Sequence, residues 1–195
     1  MKALNKRVGM FLAAMMIAGQ AAAQWELDSS MSSINFVSVK NSSIAENHKF
    51  TSVMGYIGEQ GNVHLSVDLD SVDTLIPIRD ERMRKLLFDT AKFPTANVEA
   101  QVNPEVLAEV AAGGTVNTEI PVTLSLNGVE RGIKVPVVVF SDGGGLRVVS
   151  ARPVLLSTPD FELETGVEAL REVAGLVTIS IAVPVTLNLQ FRRVE

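Results

Sequence analysis

From Val177 to Phe191 the chain places a large apolar side chain at every second position: Val177, Ile179, Ile181, Val183, Val185, Leu187, Leu189 and Phe191. The residues between, Thr178, Ser180, Ala182, Pro184, Thr186, Asn188 and Gln190, are small or uncharged. Unbroken period-two alternation describes a β-strand with one apolar face. At ~3.3 Å per residue the strand would be roughly 50 Å long, against a usual length of about five or six residues. A strand of that length has to curve around something. A tall β-barrel with an apolar inner wall is the economical solution, and such an interior is a place to keep a lipid.

Other segments repeat the pattern. Val63, Leu65, Val67 and Leu69 alternate with polar residues, and Val116, Thr118, Ile120, Val122, Leu124 and Leu126 alternate with Asn117, Glu119, Pro121, Thr123, Ser125 and Asn127. After a turn at Asn127-Gly128 come Ile133, Val135, Val137 and Val139. Ser33–Val39, Phe50–Ile57, Thr95–Val102 and Leu146–Leu155 bring the expected total to about eight strands, enough for a closed barrel that holds one ligand. Pro121, Pro136 and Pro184 fall inside strand patterns and predict an edge, bulge or bend at each. Gly143-Gly144-Gly145 reads as a hairpin turn. Three short helices are expected: Glu81–Phe88 capped by Asp80, 104–111 opened by Pro104, and Val167–Ala174 stopped by Gly175.

The N-terminus reads as a secretory signal peptide over residues 1–23. Lys2, Lys6 and Arg7 precede the apolar Val8–Ala18, and Ala21-Ala22-Ala23 supplies small residues for cleavage before Gln24. The expected mature protein is one domain, 24–195, working in the periplasm without a stable membrane anchor. Loss of three basic residues with the leader takes 17 Lys and Arg to 14 against 22 Asp and Glu, a net charge of −8. That balance argues against nucleic acid as a partner. The chain has no Cys, which removes disulfides, thiol catalysis and thiolate metal sites.

Residues suited to catalysis are few. His48 and His64 lie in different segments and make no zinc site without a third ligand. No G-x-S-x-G elbow is present. Asp68, Asp70 and Asp73 cluster ahead of Arg79-Asp80-Glu81-Arg82, but the spacing lacks the glycine and terminal Glu of a calcium loop. They read as a solvated strand end followed by a helix with ion pairs.

Several segments, in order, resemble the YceI family of polyisoprenoid-binding periplasmic proteins along essentially the whole mature chain. These are Trp25-Glu26-Leu27-Asp28, Ser33-Ile34-Asn35-Phe36, Phe50 with Gly55-Tyr56-Ile57, and Val67 through Thr74. Arg79-Asp80, Leu87-Phe88, Lys92-Phe93-Pro94, the 127–137 hairpin and Asp160-Phe161 follow. The resemblance implies an all-β, elongated, lipocalin-like antiparallel barrel holding a long isoprenoid chain such as a quinone or prenyl precursor. Met31-Ser32 stands where many members have His-Ser, and Asp160-Phe161-Glu162 where many have Asp-Phe-Gly. No head-group contact is carried over at either place.

Parity and resemblance together put Ile34, Phe36, Phe50, Tyr56, Val63, Leu65, Val67, Leu69, Val122, Leu124, Val135, Val137, Ile179, Ile181 and Val183 on the lumen wall. Arg79, Arg82, Met83, Leu86, Leu87 and Phe88, with His48, are the expected mouth and lid. The expected activity is non-enzymatic binding and transport of an isoprenoid-type lipid, with no cofactor, no metal and no catalytic residue. A homodimer and a transient contact with a membrane protein stay open. So do two rivals: an enzyme acting on such a lipid through His48 or the Asp68/Asp70 pair, and an interaction protein whose barrel is filled by its own side chains.

Overall fold

The computed structural model describes residues 23–194. The leader expected over residues 1–23 therefore lies, apart from Ala23, outside the described residues. Among the described residues the chain forms twelve strands: β1 Ala23–Leu27, β2 Ser33–Lys40, β3 Ile44–Phe50, β4 Val53–Gly58, β5 Asn62–Asp68, β6 Val72–Asp73, β7 Thr95–Gln101, β8 Thr115–Leu126, β9 Val129–Asp142, β10 Gly145–Ser150, β11 Val154–Ser157 and β12 Ala182–Arg193. Three helices interrupt them: α1 Pro77–Arg82, which runs on into a π-helical turn Met83–Phe88, α2 Pro104–Ala111 and α3 Glu164–Val173.

Four pairs of these strands (β1/β2, β3/β4, β5/β6 and β10/β11) are halves of longer strands with a short break between them. Joined in this way they give eight staves, each antiparallel to the next in sequence. β12 closes the ring on β2 through Val185↔Phe36 and on β1 through Leu27↔Phe191. The result is an up-and-down antiparallel barrel of eight staves, as the alternation and the resemblance predict. Up-and-down connection puts α1, the π-helical turn and α3 at one end and α2 at the other.

The breaks are built, not frayed. At Thr51-Ser52 the inward parity shifts from Phe50 to Val53, and the facing stave shifts from Leu69 to Val72. The two irregularities bond each other: Ser52 N–H donates to Ser71 Oγ at 3.0 Å, and Asp68 N–H donates to Ser52 O at 3.0 Å. Matched shifts keep the apolar sets of both staves on the inside, where a single slip would turn one of them out. The three strand prolines follow a similar rule. Pro121, Pro136 and Pro184 each lie one residue outside a ladder, which begins at Val122 toward β7, at Val137 toward β10 and at Val185 toward β2. The missing N–H is thus absorbed where one neighbour has ended.

Four sequence expectations need correction. The strand expected from Val177 begins only at Ala182, and Val177 is exposed. Ser180 Oγ accepts from Ala182 N–H at 3.1 Å and donates to Ala182 O at 3.0 Å, a local loop that competes with the ladder. Leu146–Leu155 is broken at Ala151–Pro153. Phe50–Ile57 is split at Thr51-Ser52, and Phe50 ends the preceding strand, Ile44–Phe50. Asp80 does not cap a helix at Glu81. Pro77 opens α1, which places Asp80 inside its first turn, where its carboxylate accepts from Thr74 N–H at 2.8 Å and from the Thr74 hydroxyl.

The core is continuous from end to end. Phe161, Phe191, Leu69, Leu146, Val110 and Val137 are its largest fully enclosed side chains. Leu107 and Val110 of α2 press into one end of the barrel. At the other end Gly166 of α3 meets the π-helical turn so closely that a Cβ there would lie 2.6 Å from Leu86 O and 2.8 Å from Leu87 Cα. Glycine is what lets the two elements touch.

Candidate functional site

Inside the barrel runs a cavity of about 710 Å³. That is within the range of ligand sites and far above the voids left by ordinary packing. Every stave contributes wall. Ile34 and Phe36, Val63 and Leu65, Val98 and Ala100, Val135 and Val137, and Val185 and Leu187 follow the alternation read from the sequence. The cavity reaches from Val106 and Leu107 of α2 to Arg79, Met83 and Leu87 at the far end, so it is a tunnel rather than a surface cleft.

Of the fifteen expected lumen residues, Ile34, Phe36, Phe50, Val63, Leu65, Val67, Leu69, Val122, Leu124, Val135, Val137, Ile179 and Val183 line this tunnel. Tyr56 and Ile181 do not. Tyr56 lies between inward Val53 and Ile57 on β4, so parity turns it outward, where it stacks on His64 with ring centroids 4.8 Å apart. Ile181 sits at the Ser180 bend and is exposed, while Ile179 and Val183 on either side face in. Of the expected mouth residues, Arg79, Arg82, Met83, Leu87, Phe88 and His48 line the tunnel, and Leu86 points to solvent.

One corner of the wall is polar. β2 and β3 turn Ser38, Lys40, Glu46 and His48 inward, beneath Arg79 of α1. Glu46 Oε2 accepts from Lys40 Nζ at 2.8 Å and from Arg79 Nη1 at 2.7 Å, while Arg79 Nη2 donates to Thr74 O at 2.7 Å. The Lys40 hydrogen bond, with the charge of Arg79, holds the Glu46 carboxyl below its usual range despite burial. His48 is 3% exposed, its Nε2 lies 2.8 Å from Ser38 Oγ, and its ring packs on Phe36 at 5.2 Å between centroids. Burial first, and the positive charge of Arg79 second, depress its pKa, so the imidazole is neutral.

Sequence reasoning missed Ser38, Lys40 and Glu46 as wall residues. Their alternation with His48 in β2 and β3 was the available signal, hidden because it is polar. Phe161, Leu163 and the α3 residues Val167 and Leu170 also line the tunnel. No periodic strand pattern marks them.

The aspartates at the end of β5 serve as turn acceptors. Asp68 Oδ1 receives Asp70 N–H at 2.9 Å, Asp70 Oδ1 receives the Thr90 hydroxyl at 2.6 Å, and Asp73 Oδ1 receives Leu75 N–H at 2.9 Å. Among the described residues no three His, Cys, Asp or Glu side chains are grouped to hold a metal ion. His64 lies on the outer surface, with Nδ1 3.7 Å from Glu99.

A family model for the YceI-like domain matches residues 25–191. Among solved structures, a polyisoprenoid binding domain from Saccharophagus degradans, implicated in plant cell wall breakdown, is 34% identical with a TM-score of 0.86, over 89% of this chain and 100% of that one. BcnA of Burkholderia cenocepacia is 19% identical with a TM-score of 0.64, over 84% of this chain and 98% of its own. A Campylobacter jejuni YceI protein is 12% identical with a TM-score of 0.55, over 76% and 85%. The last two likenesses are of fold alone. No curated protein sequence matches significantly. With its family model spanning nearly the whole barrel, the chain belongs to the YceI-like domain family.

Proposed function

We propose that this protein is an exported, non-enzymatic binding protein that holds or carries a long isoprenoid-type lipid, a quinone or polyprenyl compound, inside its barrel. The observation that carries this reading is the tunnel: about 710 Å³, walled by apolar side chains from every stave. The polyisoprenoid-binding neighbour at 34% identity supports the same ligand class. Magnitudes allow it. A five-carbon isoprene unit at ~0.8 kcal/mol per buried carbon contributes about 4 kcal/mol at most. Micromolar binding needs about 8 kcal/mol net, on top of roughly 4–15 kcal/mol for lost freedom. About three to six well-buried units meet that sum.

Native mass spectrometry of protein taken from the periplasm tests the reading. A co-purifying lipid of fixed mass on a polypeptide beginning at Gln24 is the expected result. Protein retained in the cytoplasm with residues 1–23 attached refutes export, and a lipid-free barrel that takes up no isoprenoid refutes the carrier. Turnover of an added prenyl lipid, lost in Asp68→Asn or His48→Ala, returns the enzyme as the better account.

A further inference from the structure

At the polar corner of a mostly apolar wall, one nearly inaccessible side chain has a ring nitrogen with nothing to bond. His48 lines the tunnel at 3% exposure, and its Nε2 is occupied by Ser38 Oγ at 2.8 Å. Its Nδ1 is enclosed and has no partner among the described residues. Buried polar atoms in folded proteins are nearly always paired, and one enclosed without a partner on a wall residue leaves a hydrogen bond for the occupant to supply. Nδ1 of a neutral imidazole can donate to a carbonyl or accept from a hydroxyl, according to the tautomer that Ser38 selects.

The charges around it are already matched. Lys40 and Arg79 share the Glu46 carboxylate, and the Arg79 fork is spent on Glu46 Oε2 and Thr74 O. The Asp80 carboxylate is held by the amide and hydroxyl of Thr74. Arg79 Nε is also enclosed and unpartnered, but it offers a single N–H and not the paired donors that grip a phosphate. Arg82 lines the tunnel too, but it is half-exposed and stays in reach of water.

We propose that His48 Nδ1 anchors the lipid's head, and that this head is an uncharged oxygen, a hydroxyl or carbonyl, rather than a phosphate or diphosphate. The proposal rests on the lipid-binding reading above. A phosphate placed here would set its charge beside Glu46 in a poorly hydrated corner whose cations are committed. An uncharged oxygen completes the hydrogen bonding of the wall and adds no charge to it.

The test uses the delipidated mature chain and three probes sharing one tail: geranylgeraniol, geranylgeranyl diphosphate and the hydrocarbon lacking the oxygen. The chain has two histidines, and His64 is on the outer surface, so imidazole ¹⁵N spectra carry their own reference. The alcohol should move the His48 Nδ1 resonance and leave His64 in place, while the hydrocarbon moves neither. The alcohol should bind about tenfold more tightly than the hydrocarbon, and the diphosphate no more tightly than the alcohol. His48→Leu should bind alcohol and hydrocarbon alike. Should that variant fail to fold, the wild-type spectra decide. Tighter binding of the diphosphate, or bound alcohol with Nδ1 unmoved, overturns the anchor while leaving lipid binding intact. If none of the three binds, the lipid reading itself falls and the anchor with it.

Discussion

Replacing Ala100 by Phe separates an open tunnel from a barrel filled by its own side chains. Ala100 faces the lumen from β7, paired with Val63 on one side and Val122 on the other, both of which line the cavity. In a filled barrel the added ring has nowhere to go, and overpacking costs about 1–3 kcal/mol. In an open one the ring enters free space. Burying a Phe side chain contributes at most about 1.5–3 kcal/mol, and strands favour Phe over Ala. The two cases therefore differ in the sign of the stability change. The ring should also displace about one isoprene unit of any bound tail. Five carbons at ~0.8 kcal/mol set a ceiling of about 4 kcal/mol, close to a thousandfold in Kd, and a loss of at least tenfold is expected after the tail readjusts. Urea unfolding of the lipid-free protein reads the first quantity, and displacement of a fluorescent isoprenoid reads the second. A variant that is less stable than wild type yet binds lipid unchanged would refute both the vacancy of the lumen and its use.

Acid should weaken the fold in two stages. His48 has its folded pKa depressed below 6.5, so the unfolded chain takes up the extra proton and stability falls as pH drops below about 6.5 toward the folded value. Glu46, depressed below 4.5, adds a further loss below about pH 4.5 as it is protonated in the folded state. Urea midpoints measured from about pH 7 to about pH 3 should show both stages, and His48→Leu should flatten the upper one. Phe161→Ala, at a site 2% exposed beside the tunnel, should cost about 3–5 kcal/mol in chemical denaturation. Gly166→Ala should push α3 off the π-helical turn, costing about 1–3 kcal/mol and speeding lipid release in a stopped-flow chase. An unchanged release rate removes that contact from the gate.

The staves legible in the sequence are those whose two faces differ in polarity along their whole length. β5, β8 and the second half of β12 present apolar residues to the tunnel and polar ones to water, and period-two alternation is what such a wall must show. Local hydrogen bonds override the pattern without disturbing it. At Ile181 the Ser180 side chain bonds Ala182 and rotates one apolar residue out of a perfect series, and nothing in the alternation of residue types marks the place. Tyr56 was misplaced for a different reason. Apolar Val53 and Met54 sit next to each other just after the Thr51-Ser52 break, so the sequence of β4 reads in either phase.

β3 is the informative failure. Its sequence, Ile44-Ala45-Glu46-Asn47-His48-Lys49-Phe50, is polar on both faces from Glu46 to Lys49 and so resembles a loop. The barrel nevertheless turns Glu46 and His48 toward its interior. Two ionisable side chains facing a hydrocarbon tunnel are costly unless paired, and Ser38 and Lys40 of β2 and Arg79 of α1 supply that pairing. None of those pairings can be inferred from β3 itself, because they depend on its register against β2 and on the fold bringing α1 alongside. A wall required only to be greasy would have carried valine and isoleucine at these positions, as β9 does on its inner face, and would have been legible. On the proposal that His48 anchors the head, the departure from the hydrophobic pattern falls at the corner that would distinguish one lipid from another, the kind of place where local sequence rules give way to function.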